Sequence, residues 1–103
     1  MAHPVFGSAK KLGFGLMRLP RSGDAIDVGT TADMVDRFML NGFTYFDTAY
    51  VYAGSEEAAR KALVERYPRD SFTIADKLPL GKAQNASQLR ELTNTSLARL
   101  GTD

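Results

Sequence analysis

Three residue types that can do acid–base chemistry together stand at or just beyond the ends of predicted strands. Asp47 ends the apolar run FTYF, Tyr52 follows it, and Lys77 ends the stretch SFTIADK. A phenol, with an ordinary pKa of about 10, is a poor proton donor at neutral pH, but a nearby ammonium favours its phenolate form. An aspartate can hold and neutralise such a lysine. The three types together would therefore tune a tyrosine for general acid–base catalysis.

Each of these residues also has a structural interpretation when it is taken alone. Asp47 can be a helix cap or a turn residue, Tyr52 a packing residue, and Lys77 a solvated charge at a strand end. Tyr50 points the other way along an extended segment, so we predict a structural role for it. The catalytic interpretation depends on whether the fold brings the strand ends together.

The chain reads as three strand–helix units. The run FTYFD is rich in aromatic and β-branched residues, which is typical of a strand. Apolar residues before Gly42 recur at helical spacing, and glycine is common just after a helix. The predicted strands lie within residues 10–20, 43–47 and 71–77. The predicted helices begin at Thr30 or Thr31, at Gly54-Ser55, and at Asn85 or Ser87.

The alternation of strands and helices predicts an α/β fold with a parallel sheet. Arg18, Asp47 and Lys77 lie 29 and then 30 residues apart, which is the length of one βα unit. Neighbouring parallel strands place their ends about 5 Å apart, so Asp47, Tyr52 and Lys77 could converge. We expect residues 1–103 to be the first three βα units of a (β/α)₈ TIM barrel, incomplete and truncated before strand four. A compact three-layer α/β domain is the competing prediction.

Composition narrows the classes of function. The 103 residues allow one domain, and 13 basic against 12 acidic residues give no case for binding nucleic acid or an anionic membrane. The absence of cysteine excludes disulfides, thiolate metal sites and cysteine nucleophiles, and the single histidine, His3, makes a metal site unexpected. No apolar run approaches the roughly 18 residues of a membrane span, and no signal peptide is recognisable. We expect a cytoplasmic protein.

Three blocks of the sequence resemble the N-terminal part of an aldo-keto reductase. The blocks are GFGLMRLP, then GFTYFDTAYVY followed by GSEEAARKALVERYPRDSF, and then ADKLP. The resemblance runs over residues 11–103, and the order and spacing of the blocks make it more specific than any single motif. The first block is similar to a bacterial branch of the family that reads GFGxMRLP.

The resemblance implies a TIM barrel that transfers a hydride between NADPH and a small-molecule carbonyl or alcohol. The family uses a catalytic tetrad of Asp, Tyr, Lys and His, and Asp47, Tyr52 and Lys77 match the first three. By this resemblance Tyr52 protonates the carbonyl oxygen, Lys77 activates Tyr52, and Asp47 orients Lys77.

The resemblance also assigns residues to the cofactor NADPH. Gly15, Met17 and Arg18 match the strand-one block that lies beside the cofactor, and Asp47 would lie close to the nicotinamide ribose. The tetrad histidine and the pyrophosphate-binding segments follow later strands in the family, beyond the LGTD at residues 100–103. We therefore expect the isolated chain to be nearly inactive.

Asp76 departs from the family pattern, because a threonine is common before the lysine. Its carboxylate could compete with Asp47 for Lys77, or it could face outward.

An alternative to the enzyme interpretation is a small non-catalytic module that pairs its sheet edges with another chain or with a second copy of itself. The predicted third strand carries no charge between residues 72 and 75, so its edge lacks the protective charges that a stable small domain would need. The sequence thus favours part of a larger enzyme over an independent module.

Overall fold

The computed structural model describes residues 12–103, and alternating strands and helices run through that range. Its elements are β1 (Gly13–Gly15), β2 (Arg21–Ser22), β3 (Ala25–Ile26), α1 (Val28–Leu40), β4 (Tyr45–Asp47), α2 (Ser55–Ala59), β5 (Thr73–Ala75) and α3 (Ala86–Leu100). A π-helical turn, Arg60–Val64, continues α2, and two short 3₁₀ turns span Arg69–Ser71 and Leu80–Lys82. The predicted order of elements is confirmed, although each of the three main strands is shorter than predicted. His3 and the start of the first predicted strand lie outside the described residues.

The main sheet is parallel, with β4 in the centre and β1 and β5 on either side. Gly15, Asp47 and Ala75 stand side by side at its C-terminal end. The predicted turn after Pro20 is in fact a small antiparallel hairpin of β2 and β3, which turns at Gly23 with a φ of 67°.

One face of the sheet carries the hydrophobic core. Phe46, at the centre of β4, is fully buried and lies 5.1 Å, ring centre to ring centre, from Phe38 of α1. Phe14 stacks beside it at 5.7 Å, and Ile74 stands in register on its other side. The core also receives Val35 and residues of all three helices. All three helices therefore pack on the same face of the sheet, so the structure has two layers, one of strands and one of helices. The competing prediction of a three-layer domain is wrong.

The opposite face of the sheet has no helix against it among residues 12–103. Because side chains alternate along a strand, Asp47 and Tyr45 project from this face while Phe46 enters the core. Tyr45 partly covers Gly13, since a Cβ on Gly13 would lie 3.2 Å from the Tyr45 ring. In a closed (β/α)₈ barrel the face opposite the helices lines the interior.

The helix ends correct one prediction and confirm another. Asp27, and not Thr30 or Thr31, caps α1, because its carboxylate accepts a hydrogen bond from the Thr30 amide at 3.1 Å. Asn85 caps α3 by accepting from the Gln88 amide at 2.9 Å. No helix among the described residues is long and apolar enough to cross a membrane.

Candidate active site

Asp47 and Lys77 form an ion pair at the C-terminal end of the sheet. Asp47 is the last residue of β4, and Lys77 follows the end of β5. Their strands are parallel neighbours, so the two side chains emerge at the same edge. The Lys77 Nζ lies 2.6 Å from the Asp47 Oδ1, while 49% and 40% of the two side chains remain exposed. The pair is therefore open to a ligand.

Tyr52 joins this pair from the turn that follows β4. The Lys77 Nζ lies 5.1 Å from the centre of the Tyr52 ring, within the distance at which a cation interacts with an aromatic face. The turn is closed by the Tyr52 amide, which donates to the Ala49 carbonyl at 3.1 Å. It is also fixed to the segment after β5, because the Tyr50 amide donates to the Lys77 carbonyl at 3.0 Å.

The surroundings of Lys77 keep its ammonium charged. Burial lowers the pKa of Lys77, but the hydrogen bond and negative charge of Asp47, with a contribution from Tyr52, outweigh it and raise that pKa above its ordinary value. Lys77 is thus a stable cation at neutral pH and can stabilise negative charge that develops nearby.

A buried hydroxyl pair supports the site from below. The Thr48 and Ser55 hydroxyls lie 2.6 Å apart, and the Ser55 Oγ donates to the Leu16 carbonyl at 2.8 Å. The Leu16 amide in turn donates to the Asp47 carbonyl at 2.8 Å. These bonds join the ends of β1 and β4 to the start of α2. Sequence reasoning missed them, because two hydroxyls across an irregular turn leave no periodic signal.

Of the predicted cofactor residues, Gly15 lies beside Asp47 in the sheet, and Met17 and Arg18 follow on the exposed surface. A Cβ on Gly15 would meet nothing within 4 Å, so the space above this residue is open to a flat ligand ring. This open space beside Asp47 does not obstruct a nicotinamide cofactor. No hydrogen bond or ion pair among residues 12–103 joins the Met17 or Arg18 side chain to the Asp47–Lys77 pair, and no cluster there could hold a metal ion.

Asp76 neither competes with Asp47 for the Lys77 ammonium nor faces outward, the two alternatives that the sequence left open. Its Oδ1 accepts a hydrogen bond from the Lys77 backbone amide at 2.8 Å, and no ion pair among the described residues joins it to the Lys77 ammonium. Its Oδ2 is buried without a hydrogen-bond partner among the described residues, and the Glu56 carboxyl lies beside it. Burial, followed by that contact, raises the pKa of Asp76 to about 7.

Glu56 stands in the first turn of α2, and its side chain is buried. It is only 1% exposed and accepts a hydrogen bond from Arg99 of α3 at 3.1 Å. The second glutamate, Glu57, is the solvated one and lies 3.3 Å from the Arg99 Nε. Neighbouring glutamates give no sign in the sequence of which one is buried.

Comparison with known proteins decides the family. The sequence model described as "Aldo/keto reductase family" matches residues 11–103. The chain belongs to the aldo/keto reductase family. It is 31% identical, over 102 residues, to aldo-keto reductase str7 of Strobilurus tenacellus, and this match covers 90% of the chain and 30% of str7.

Solved structures of aldo-keto reductases agree in fold. The chain superposes on the PA4992 protein of Pseudomonas aeruginosa with a TM-score of 0.75 and 28% identity, covering 92% of the chain and 40% of PA4992. For the aldo/keto reductase of Brucella melitensis the TM-score is 0.63 and the identity 29%, with 88% and 32% covered. The chain thus spans about a third of the length of these relatives. Its three βα units are the N-terminal part of the family's TIM barrel.

Proposed function

We propose that this aldo/keto reductase chain forms part of an NADP(H)-dependent oxidoreductase that reduces an aldehyde or ketone to an alcohol. The observation that carries the proposal is the meeting of Asp47, Lys77 and Tyr52 at the C-terminal end of a parallel sheet. This is the end at which TIM-barrel enzymes have their active sites. The open space above Gly15 supports a cofactor lying across the sheet at Asp47.

The side chains divide the proton chemistry among them. When bound, NADPH supplies the hydride that adds to the carbonyl carbon. The Tyr52 hydroxyl donates its proton to the carbonyl oxygen, so the C=O group becomes CH–OH. The Lys77 ammonium stabilises the phenolate that remains, and Asp47 holds Lys77 in place through the 2.6 Å ion pair.

We further propose that the enzyme is cytoplasmic, that it belongs to the branch with the GFGxMRLP block, and that the isolated chain has almost no activity. We expect almost no activity because the chain spans only 30% to 40% of the length of relatives such as str7 and PA4992. A barrel without its remaining units lacks most of a binding cleft.

A chimera tests the proposed function. Residues 12–103 replace the matching part of the PA4992 protein, and consumption of NADPH is followed with an aromatic aldehyde. We expect measurable reduction, and a loss of about a hundredfold or more in kcat on Tyr52→Phe with NADPH binding almost unchanged.

Tyr50→Phe is the matched control, because Tyr50 lies in the same turn and its ring packs under Arg99. We expect this variant to retain most of the activity. If Tyr52→Phe reduced the aldehyde at nearly the unsubstituted rate, Tyr52 would not be the proton donor.

The second candidate function, an association module, is favoured by one observation. Both β1 and β5 pair only with β4, so each leaves an open edge among the described residues. Open edges invite pairing with another chain.

A further inference from the structure

Beneath the proposed active site, a cluster of four polar residues joins three elements. We call it the acid cluster: Glu56 of α2, Asp76 after β5, and Ser96 and Arg99 of α3. Three of its oxygens are buried without a hydrogen-bond partner among residues 12–103, namely Glu56 Oε2, Asp76 Oδ2 and Ser96 Oγ. Buried oxygens in this state are costly, so the cluster must be satisfied in another way.

A single proton removes most of this cost. With a proton on Asp76, its carboxyl becomes a hydrogen-bond donor to Glu56. This one bond gives a partner to one oxygen of Asp76 and to one oxygen of Glu56. Glu56 keeps the negative charge, because Arg99 lies 3.1 Å from its Oε1 and Ser96 also favours the ionised form. Two carboxyls this close do not ionise together readily, since like charges repel strongly where water is excluded.

Arg99 connects the acid cluster to the turn at residues 50–52. The same Nη1 that donates to Glu56 also donates to the Tyr50 carbonyl at 3.3 Å. The guanidinium stacks on the Tyr50 ring at 4.4 Å from its centre. The Tyr50 amide is bonded to the Lys77 carbonyl, so Tyr50 lies between the cluster and two proposed catalytic residues, Lys77 and Tyr52.

We propose that Glu56, Asp76 and Arg99 are positioning residues, which share one proton and hold the 50–52 turn against the segment carrying Lys77. The inference rests on the proposed role of Tyr52 for its effect on catalysis, but the coupling itself needs no catalysis. A second charge on the carboxyls draws Arg99 toward them and weakens its bond to Tyr50 O. The turn then loosens, and Tyr52 loses its fixed place beside Lys77.

The charges around the cluster set the pH at which this occurs. Burial first, and then the contact with Glu56, raise the pKa of Asp76 to about 7, while the Lys77 amide and charge act in the opposite direction. The other charged group facing Arg99 is Glu57 at 3.3 Å. Because the Asp76 carboxyl loses its proton near neutrality, we expect the turn to be ordered below about pH 7 and looser above it.

Nuclear magnetic resonance of the isotope-labelled chain tests the coupling directly. The ¹³C signal of the Asp76 carboxyl is followed from about pH 5 to about pH 9, together with the amide signals of Tyr50, Tyr52 and Lys77. We expect the carboxyl midpoint at about 7 and the same midpoint in the amide signals. The proposal is overturned if Asp76 is already ionised at pH 5, or if the amide signals of Tyr50 and Tyr52 stay still while Asp76 titrates.

Two variants separate positioning from general structure. Asp76→Asn keeps a neutral donor toward Glu56, so we expect the three amide signals to remain at their low-pH positions throughout. Asp70→Asn, on the exposed turn before β5, is the control and should titrate like the unsubstituted chain. If Asp76→Asn still showed the shared midpoint, the proton would lie elsewhere and the proposal would be wrong.

The chimera adds a catalytic readout, which depends on both the coupling and the proposed role of Tyr52. We expect kcat to fall above about pH 7 and Asp76→Asn to remove that fall. Coupling in the chain without activity in the chimera would contradict the proposed function alone. Activity in the chimera without coupling in the chain would contradict the positioning role alone.

Discussion

At the scale of single residues, the Asp76 carboxyl makes the stability of the chain depend on pH. Burial, with the contact to Glu56, raises its pKa from 3.8 to about 7. Between those two values the folded chain keeps a proton that the unfolded chain has lost, so the free energy of unfolding falls as the pH rises. Glu56 has the opposite effect on stability, because folding lowers its pKa from 4.5. Its contribution to the free energy of unfolding is therefore lost only when the pH falls below that value.

Asp76→Asn should therefore stabilise the chain more at pH 8 than at pH 5, because the amide cannot ionise. Urea unfolding at the two pH values measures the difference in the free energy of unfolding between the variant and the unsubstituted chain. Asp70→Asn, which is exposed, is the control and should show no comparable change with pH. An equal effect of Asp76→Asn at both values would mean that Asp76 is ionised throughout this range.

At the scale of elements, two glycines with different surroundings separate a structural from a functional requirement. Gly101 ends α3 with a φ of 72°, and a Cβ there would lie 3.0 Å from the Arg60 Nε. Gly15 in β1 has open space where a Cβ would project. We expect Gly101→Ala to lower the free energy of unfolding by about 1–2 kcal/mol, and Gly15→Ala to change it by less than about 0.5 kcal/mol.

Urea unfolding of both glycine variants checks these values, and NADPH binding to the chimera adds a second readout. A methyl group at residue 15 should weaken binding if the cofactor lies across the sheet there. A Gly15→Ala chain as unstable as Gly101→Ala would show that residue 15 is needed for folding, and would remove this support for a cofactor site.

The elements also show what the sequence could predict. Apolar periodicity and strand composition predicted the order of strands and helices, because burying an apolar face leaves a strong local pattern. Asp27 was missed as the cap of α1, because Thr30 and Thr31 are also capping residues and lie closer to the apolar face. The burial of Glu56 depends on Arg99, which lies 43 residues away. Such long-range pairing has no local signal.

One part of the proposed site could likewise be predicted from the sequence, and another part could not. The meeting of Asp47 and Lys77 could be predicted, because parallel strand order alone places their strand ends side by side. The support from Thr48, Ser55 and Arg99 could not, because it depends on how irregular turns pack against helices. Family resemblance supplied roles for the proposed catalytic residues but gave no role to Asp76, at which this chain departs from the common pattern.

At the scale of the whole molecule, the open edges of β1 and β5 should make the isolated chain associate with itself. The Ile74 backbone groups face away from β4, because Thr73 and Ala75 make the bonds to that strand.

Sedimentation velocity at about 100 μM should show species heavier than the 11.3 kDa monomer. Thr73→Lys places a charge on the edge strand and should shift the chain toward monomer, whereas Ser22→Lys adds the same charge in the β2–β3 hairpin, which is not part of the main sheet, and should not. A monomer at every concentration would exclude edge pairing, and equal effects of the two lysines would indicate association through net charge.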